Sequence, residues 1–366
     1  MRITLNDAGN GDCIMIQSQD TFILVDGGTA ASYKTWKGNI ESLDYIDCII
    51  VTHVDNDHVN GVIKLLQSNT SPRVKEIIFN GAKQILGLDI SYDDSKDDLK
   101  LQSLSDKFSV EDFEEFNIGV SEGTSLSFAI ENNGISHNNS LITRDVAKLD
   151  IGHLSIEFIG PTNESLSKLR SHWLEVLSDE GIDRKILTKK HAYAFETYLN
   201  KLKDDFTSPI SGGSFENIDS LADAPYEQDG SLANESSIAF IARDSDSSIL
   251  MLADCHAESV IDWLNKKEIE VLEVDAVKVS HHGSKHNINR ELIERIECDK
   301  YLISTNGKKF NHPDLECLSL IAKYSKIQPI KIIINNDITH IDAKCVQMFH
   351  DFNKTQLIVG KKEIDL

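Results

Sequence analysis

The sequence predicts an α/β fold. Two observations carry that prediction: the first fifth holds short β-type runs ending in a strand–loop–helix unit, and the last third alternates strand with helix. Met1-Arg2-Ile3-Thr4-Leu5 is strand-like. Ile14-Met15-Ile16 and Phe22-Ile23-Leu24-Val25, separated by polar turn residues, read as a hairpin. Asp47-Cys48-Ile49-Ile50-Val51-Thr52 is nearly all apolar, the pattern of a strand covered on both faces. Val62, Ile63, Leu65 and Leu66 then fall at helical spacing, and Ile77-Ile78-Phe79 supplies the next strand.

Residues 89–122 contain eleven acidic residues and three lysines, which reads as a solvated surface. A strand is expected over 151–159, closed by Gly160-Pro161. Residues 162–233 show helical periodicity (Leu166, Leu169, Trp173, Leu174, Leu177) and a Ser/Gly-rich stretch near Ser211. Strand sequence resumes at Ile238, so 162–233 is expected to be an insertion within one domain spanning 1–366. In the last third, strands are expected over 249–252, 276–279, 301–304 and 331–334, with helices over 259–265, 290–296 and 315–324.

Fifty-nine acidic residues against 37 basic ones give a net charge of −22. Such a chain should be soluble, and its average field repels nucleic acid and anionic lipid. A nucleic-acid substrate therefore needs a local positive centre, such as bound metal. No apolar run approaches the roughly 20 residues of a membrane span, and the N-terminus lacks a signal-peptide pattern. The six cysteines are widely spaced, with no Cys-x-x-Cys pair. They read as buried free thiols in a reducing compartment, so a cytoplasmic protein without membrane partners is expected.

The sharpest chemical feature is Thr52-His53-Val54-Asp55-Asn56-Asp57-His58-Val59-Asn60-Gly61, placed after a buried strand and before a helix. Imidazoles and carboxylates crowded this tightly need something positive among them. One ion cannot comfortably take His53, Asp55, Asp57 and His58 from so short a loop. Two ions can, with His53 and Asp55 facing one and Asp57 and His58 the other. Further clusters stand at strand ends: Asp254 in Leu252-Ala253-Asp254-Cys255-His256, Ser280-His281-His282-Gly283-Ser284, and Asn311-His312-Pro313. A carboxylate such as Asp254 can bridge two ions through its two oxygens.

The loop resembles that of the metallo-β-lactamase superfamily, usually His-x-His-x-Asp-His. It is more similar to the His-x-Asp-x-Asp-His branch found in the hydrolase domain of ComEC-type DNA-uptake competence proteins. Gly9-Asn10-Gly11-Asp12, Val25-Asp26-Gly27-Gly28, Asn234-Glu235-Ser236-Ser237, Ser280-His281-His282-Gly283-Ser284 and Asn311-His312-Pro313 resemble that branch's other landmarks. The resemblance implies a four-layer αβ/βα sandwich holding two divalent ions, Zn²⁺ or Mn²⁺. It places His53 and Asp55 on the first ion. Asp57, His58 and one of His281 and His282 go to the second, His282 being favoured, with Asp254 between the two ions and Asp26 bracing the loop. Two departures stand out. No motif supplies the family's further histidine on the first ion, although His137, His153, His172 and His191 lie in the interval, and Ala253 replaces the usual Gly before the bridging Asp.

The activity this implies is metal-dependent hydrolysis of a phosphodiester by activated water, in which two ions can bring water from a pKa of about 15.7 towards roughly 7. Asp57 and His312 are the catalytic candidates; His312 either contacts phosphate or protonates the leaving oxygen, or else anchors its own loop. The sequence shows no basic groove for a long duplex, and Lys278, Lys285, Lys308 and Lys309 read equally as solvated lysines. A short or single-stranded nucleic acid or a nucleotide suits the charge better. A basic protein partner would supply missing contacts. The rival reading is a regulatory or binding component of a multi-protein bacterial system, such as phage defence, that uses the fold without turnover. A β-lactamase, thioesterase or lactonase shares the fold but not this loop.

Overall fold

The segment Tyr45–Val51 forms a strand because its residues satisfy two apolar neighbours at once. Cys48 and Ile50 join one apolar cluster, while Ile49 and Val51 join another on the opposite face. The computed structural model describes residues 1–68, 72–92, 97–109, 125–183, 186–202 and 217–366. The Ser/Gly-rich stretch near Ser211 and much of the acidic run over 89–122 lie outside the described residues.

Two large sheets stack face to face among the described residues. The first has seven strands in the order Glu363–Asp365, Arg2–Leu5, Ile14–Ser18, Thr21–Val25, Tyr45–Val51, Arg73–Phe79 and Ser136–His137. The second has eight: Gln356–Ile358, Lys331–Ile334, Lys300–Ile303, Ala276–Lys278, Ser248–Met251, Phe240–Arg243, Leu154–Phe158 and Leu149–Ile151. Between them lies an apolar layer built from Ile3, Ile14, Ile23 and Ile50 on one side and Phe158, Phe240, Met251 and Leu302 on the other. Helices cover both outer faces. Val62, Phe128, Trp173 and Phe195 pack on the first sheet; Trp263, Leu318 and Phe349 pack on the second. The layer order is therefore helix, sheet, sheet, helix, the αβ/βα sandwich expected from the resemblance.

The hairpin at 14–25 forms with Ile14 opposite Val25, and the strand–loop–helix unit runs from Tyr45–Val51 into the helix Asn56–Gln67. The single strand expected over 151–159 is instead a hairpin of Leu149–Ile151 with Leu154–Phe158. It turns at Gly152, whose φ of +55 suits a residue without a Cβ. The terminal strands Gln356–Ile358 and Glu363–Asp365 and the helix Ala343–Asp351 carry too weak a pattern to be read from sequence. The strand Glu363–Asp365 closes an edge of the first sheet against Arg2–Leu5. All six cysteines are free and buried. Among the described residues no helix is long and apolar enough to cross a membrane.

Backbone packing fixes the loop beneath the helix Asn56–Gln67. The Gly27 N–H donates to the His58 carbonyl at 2.8 Å and the Gly61 N–H to the Gly28 carbonyl at 2.9 Å. A Cβ on Gly61 would overlap the Gly27 carbonyl, where no flexible side chain can yield. Gly61→Ala is expected to cost about 3 kcal/mol by overpacking. Gly38→Ala, which meets nothing within 4 Å, should leave the urea midpoint within error of wild type.

A second device orders the helical layer. Glu196, on the helix Lys189–Lys201, accepts from the Leu126 N–H (2.7 Å), the Ser127 N–H (3.2 Å) and the Ser127 hydroxyl (2.7 Å). Burial pushes its carboxyl up to about 7, against the pull of those donors. A raised native pKa means the folded chain holds more protons between 4.5 and 7, so this group's contribution to stability grows as pH falls through that window. Relative to Glu196→Gln, wild type should gain about 2 kcal/mol between pH 7 and pH 5 at about 1.36 kcal/mol per pKa unit. Paired urea titrations at the two pH values measure it; an unchanged gap would show that Glu196 is ionised throughout.

Candidate metal centre

Parallel strands bring the chemistry to one edge. Thr21–Val25 and Tyr45–Val51 of the first sheet end at Asp26 and Thr52, while Ser248–Met251, Ala276–Lys278 and Lys300–Ile303 of the second lead into Asp254, His282 and Ser304. Among the described residues, nine non-glycine residues adopt a left-handed φ, and five of them stand at this edge: Asp26, Ala253, His281, His282 and Asn311. Such strain collects where the fold over-determines side-chain direction. Ala253 has a φ of +48, which gives a physical reason for the glycine usual at that position.

The hydrogen bonds fix the histidine tautomers. Asp26 accepts from the Thr52 N–H (2.8 Å) and hydroxyl (2.7 Å), and its Oδ2 lies 2.8 Å from His58 Nδ1. His58 Nδ1 is therefore the donor. The Thr52 hydroxyl proton is committed to Asp26, so its oxygen, 3.0 Å from His53 Nδ1, accepts from that ring. His282 Nδ1 donates to the Ser304 carbonyl at 2.9 Å. His281 Nδ1 donates to Asn287 Oδ1 at 2.9 Å, because the Asn287 amide nitrogen is occupied by Asp229 and the Asp254 carbonyl.

Each of the four rings is left with its Nε2 lone pair, and all four converge on Asp254. Oδ2 of Asp254 lies 3.8 Å from Nε2 of His53, 3.5 Å from that of His58, 3.9 Å from that of His281 and 3.8 Å from that of His282. Among the described residues, Nε2 of His53, His58 and His282 and Oδ1 of Asp254 make no hydrogen bond although buried. Lone pairs and a carboxylate facing one another out of water favour positive charge between them, either a metal ion or the proton of an imidazolium. The charges respond accordingly. Burial disfavours imidazolium at His58, yet Asp254 and Asp26 raise it well above the usual range, and His281 is likewise pushed up to about 9 against burial by Asp254 and Asp229. Burial opposes ionisation of Asp254, but His58, His282 and His281 hold it well below the usual carboxylate range.

Three groupings of possible ligands stand among the described residues, one of them Asp12, Asp26 and His58. Donor atoms of His53, His58 and Asp254 lie within 4.8 Å of one another, as do those of Asp57, His58 and His282. Asp55 occupies the N-cap of the helix Asn56–Gln67 without capping it through its side chain; Oδ2 instead sits 3.2 Å from His53 Nε2. Asn10 donates to Asp57 Oδ2 at 2.7 Å. His312 is buried with its ring centroid 5.6 Å from that of His281, and Nδ1 lies 3.6 Å from Asp314 Oδ2 without a hydrogen bond. Burial, ahead of any other influence, lowers its pKa.

The other histidines of the interval stand elsewhere. His137 pairs with Glu131, His153 with Asp20, and His172 is exposed. His191 is interior, accepting from the Trp173 indole at 3.0 Å. Lys278 is not a solvated lysine: it is fully buried, paired with Asp12, whose other oxygen lies 3.4 Å from His282 Nδ1. Lys285 pairs with Glu316 at 2.9 Å, while Lys308 and Lys309 are exposed.

Sequence reading missed Asp229. It is buried, accepts from Asn234, Asn287 and the Ser231 N–H, and backs His281 and His256 at 3.6 Å each. Nothing around Asp229 in the chain marks it; the one signal is Asn234, five residues on, whose side chain it holds.

Residues 6–122 match the family model described as the metallo-beta-lactamase superfamily. Members of that superfamily are generally metal-dependent hydrolases and its fold normally binds divalent metals, often two; the matched stretch is the part of this chain that carries Asp26, His53, Asp55, Asp57 and His58. No curated protein matches by sequence. Similar solved structures include the metallo-beta-lactamase fold protein YhfI from Bacillus subtilis, at 10% identity and TM-score 0.41, covering 100% of this chain and 99% of that one. Zn²⁺-bound PqqB from Methylobacterium extorquens also has 10% identity and TM-score 0.41, with 100% of both chains covered. CmlA, a diiron beta-hydroxylase from Streptomyces venezuelae, has 12% identity and TM-score 0.41, with 100% of this chain covered and 54% of that one.

Proposed function

We propose that this chain is a metal-dependent phosphodiesterase or nuclease acting on a short or single-stranded nucleic acid or a nucleotide. The observation that carries the metal dependence is the convergence of four Nε2 lone pairs on Asp254 Oδ2. His53 and Asp55 would hold one divalent ion, Asp57, His58 and His282 the other, and Asp254 would reach both. His281 presents its Nε2 from the more exposed side. When bound, the ions supply Lewis acidity and activate water at neutral pH.

The chain's own residues do the rest. Asp26 and Ser304 hold the rings of His58 and His282 with the lone pairs inward, which fixes where the ligands point. Asn10 steadies Asp57. His312, beside His281, is placed to contact a phosphate oxygen. The phosphodiester assignment is supported by the His-x-Asp-x-Asp-His loop and its likeness to the ComEC-type branch. The size of the substrate is argued from charge. With Lys278 and Lys285 engaged internally, the net charge of −22 is not offset by those lysines at the site, which disfavours a long duplex. A basic protein partner would relieve the same repulsion.

Metal analysis of the purified chain combined with turnover of bis-p-nitrophenyl phosphate and of nitrocefin tests this reading. Bound divalent metal and phosphodiester cleavage without nitrocefin hydrolysis are expected. Nitrocefin turnover alone would reassign the substrate class, and a chain that takes up no metal would favour a regulatory role.

A further inference from the structure

We propose that Asn200 is a positioning residue for the metal loop, setting the direction of Asp55 through a bond to Asn56 that spans 144 positions in sequence. The inference rests on the reading of residues 53–58 as a metal loop, and it adds a residue that no motif marks. Asp55 stands at the N-cap of the helix Asn56–Gln67, where an aspartate ordinarily turns its carboxylate onto backbone N–H groups of the first turn. Here it makes no such cap, and its Oδ2 faces His53 Nε2 at 3.2 Å. A carboxylate directed at a metal does not serve its own helix. The first N–H of that helix, at Asn56, is one that an N-cap side chain does not ordinarily reach, so it needs an acceptor from elsewhere.

Asn200 provides it. Its Oδ1 accepts from the Asn56 N–H at 2.6 Å, and its Nδ2 donates to the Val54 carbonyl at 3.3 Å. These groups belong to the two peptide bonds that flank Asp55, so one side-chain amide brackets the residue on both sides. The bracket is itself anchored. Asn200 Nδ2 also donates to the Glu196 carbonyl at 2.7 Å, and the Glu196 carboxyl is tied to Leu126 and Ser127. The helix Lys189–Lys201 thereby connects the helical layer to the loop that carries His53, Asp55, Asp57 and His58.

The test uses the full chain, stripped with chelator and titrated with Co²⁺, followed by visible absorption and calorimetry. Wild type should take up two ions. Asn200→Ala should weaken one of them by about 10- to 100-fold, the usual range for residues that orient metal ligands, and alter that ion's absorption while sparing the other. Asn200→Asp keeps the acceptor for Asn56 but sets an acceptor against the Val54 carbonyl, so it should weaken the same ion by a smaller factor. Thr197→Ala, whose hydroxyl bonds within its own helix to the Tyr193 carbonyl, serves as the packing control and should bind as wild type. Wild-type affinity and spectrum in Asn200→Ala or in Asn200→Asp would overturn the proposal, as would an equal loss in Thr197→Ala. If wild type itself binds no Co²⁺, the metal reading of the site falls and this proposal with it. Binding in wild type that Asn200 variants leave untouched removes this proposal alone.

Discussion

Asp254→Ala is expected to leave the chain folded, to lower its metal content below two per chain, and to reduce phosphodiester turnover by at least about a thousandfold. The magnitude follows from the several kcal/mol that Lewis-acid stabilisation contributes, at about 1.36 kcal/mol per tenfold in rate. The position follows from geometry. Among the described residues, Asp254 is the one carboxylate whose Oδ2 lies within 4 Å of all four inward-facing Nε2 atoms, so its removal leaves the remaining donors without a common anion. Folding should survive because neither carboxylate oxygen supports the backbone: Oδ1 makes no hydrogen bond, and the tie from Asn287 runs to the Asp254 main-chain carbonyl. Metal analysis and bis-p-nitrophenyl phosphate turnover, with circular dichroism as the control for folding, measure the result. Full metal content and turnover in Asp254→Ala would remove Asp254 from the centre. His282→Ala should resemble it more closely than His281→Ala does, since His282 shares a grouping with Asp57 and His58.

What could be read from the sequence divides along a physical line. The strand Tyr45–Val51 and the crowding of His53, Asp55, Asp57 and His58 were legible because apolar periodicity and clustered donors are local properties. The strand-end clusters at Asp254, His281 and His282 were legible for the same reason. The hairpin at 149–158 was read as one strand because the turn rests on Gly152 and His153, which interrupt the apolar alternation only briefly. The edge strand Glu363–Asp365 owes its place to pairing with Arg2–Leu5, a contact across almost the whole chain that no local pattern encodes. The supporting residues escaped for a related reason. Asp229, Asn287 and Asn200 act through hydrogen bonds that include partners distant in sequence, Asn287 to Asp229 and Asn200 to Asn56, and one asparagine or aspartate carries no period. Lys278 was misread because a lysine at a strand end ordinarily reaches solvent. Here Asp12 meets it in the interior beneath His282.

Phosphodiester turnover should be higher with Mn²⁺ than with Zn²⁺ at matched occupancy, by about tenfold, which is about 1.4 kcal/mol of differential stabilisation. The donor set motivates this expectation. The site offers three carboxylates, Asp55, Asp57 and Asp254, alongside its histidines, and Asp55 stands where the wider superfamily places an imidazole. Exchanging that nitrogen for oxygen hardens the side nearest His53, where Asp55 and Asp254 both approach the ring. Oxygen-rich and open coordination suits Mn²⁺, whereas Zn²⁺ favours closed tetrahedral sets of nitrogen and sulfur. Binding strength runs the other way, because the usual order of divalent ions places Zn²⁺ above Mn²⁺ at a given site. Purified protein is therefore expected to carry zinc even though manganese supports faster turnover. Chelator-stripped protein, reloaded with each ion and assayed at equal measured metal content, separates affinity from rate. Faster turnover with Zn²⁺ would show that the centre behaves as a nitrogen-rich one. The fourth inward-facing histidine, His281, with Nε2 3.9 Å from Asp254, would then be the residue supplying the additional nitrogen.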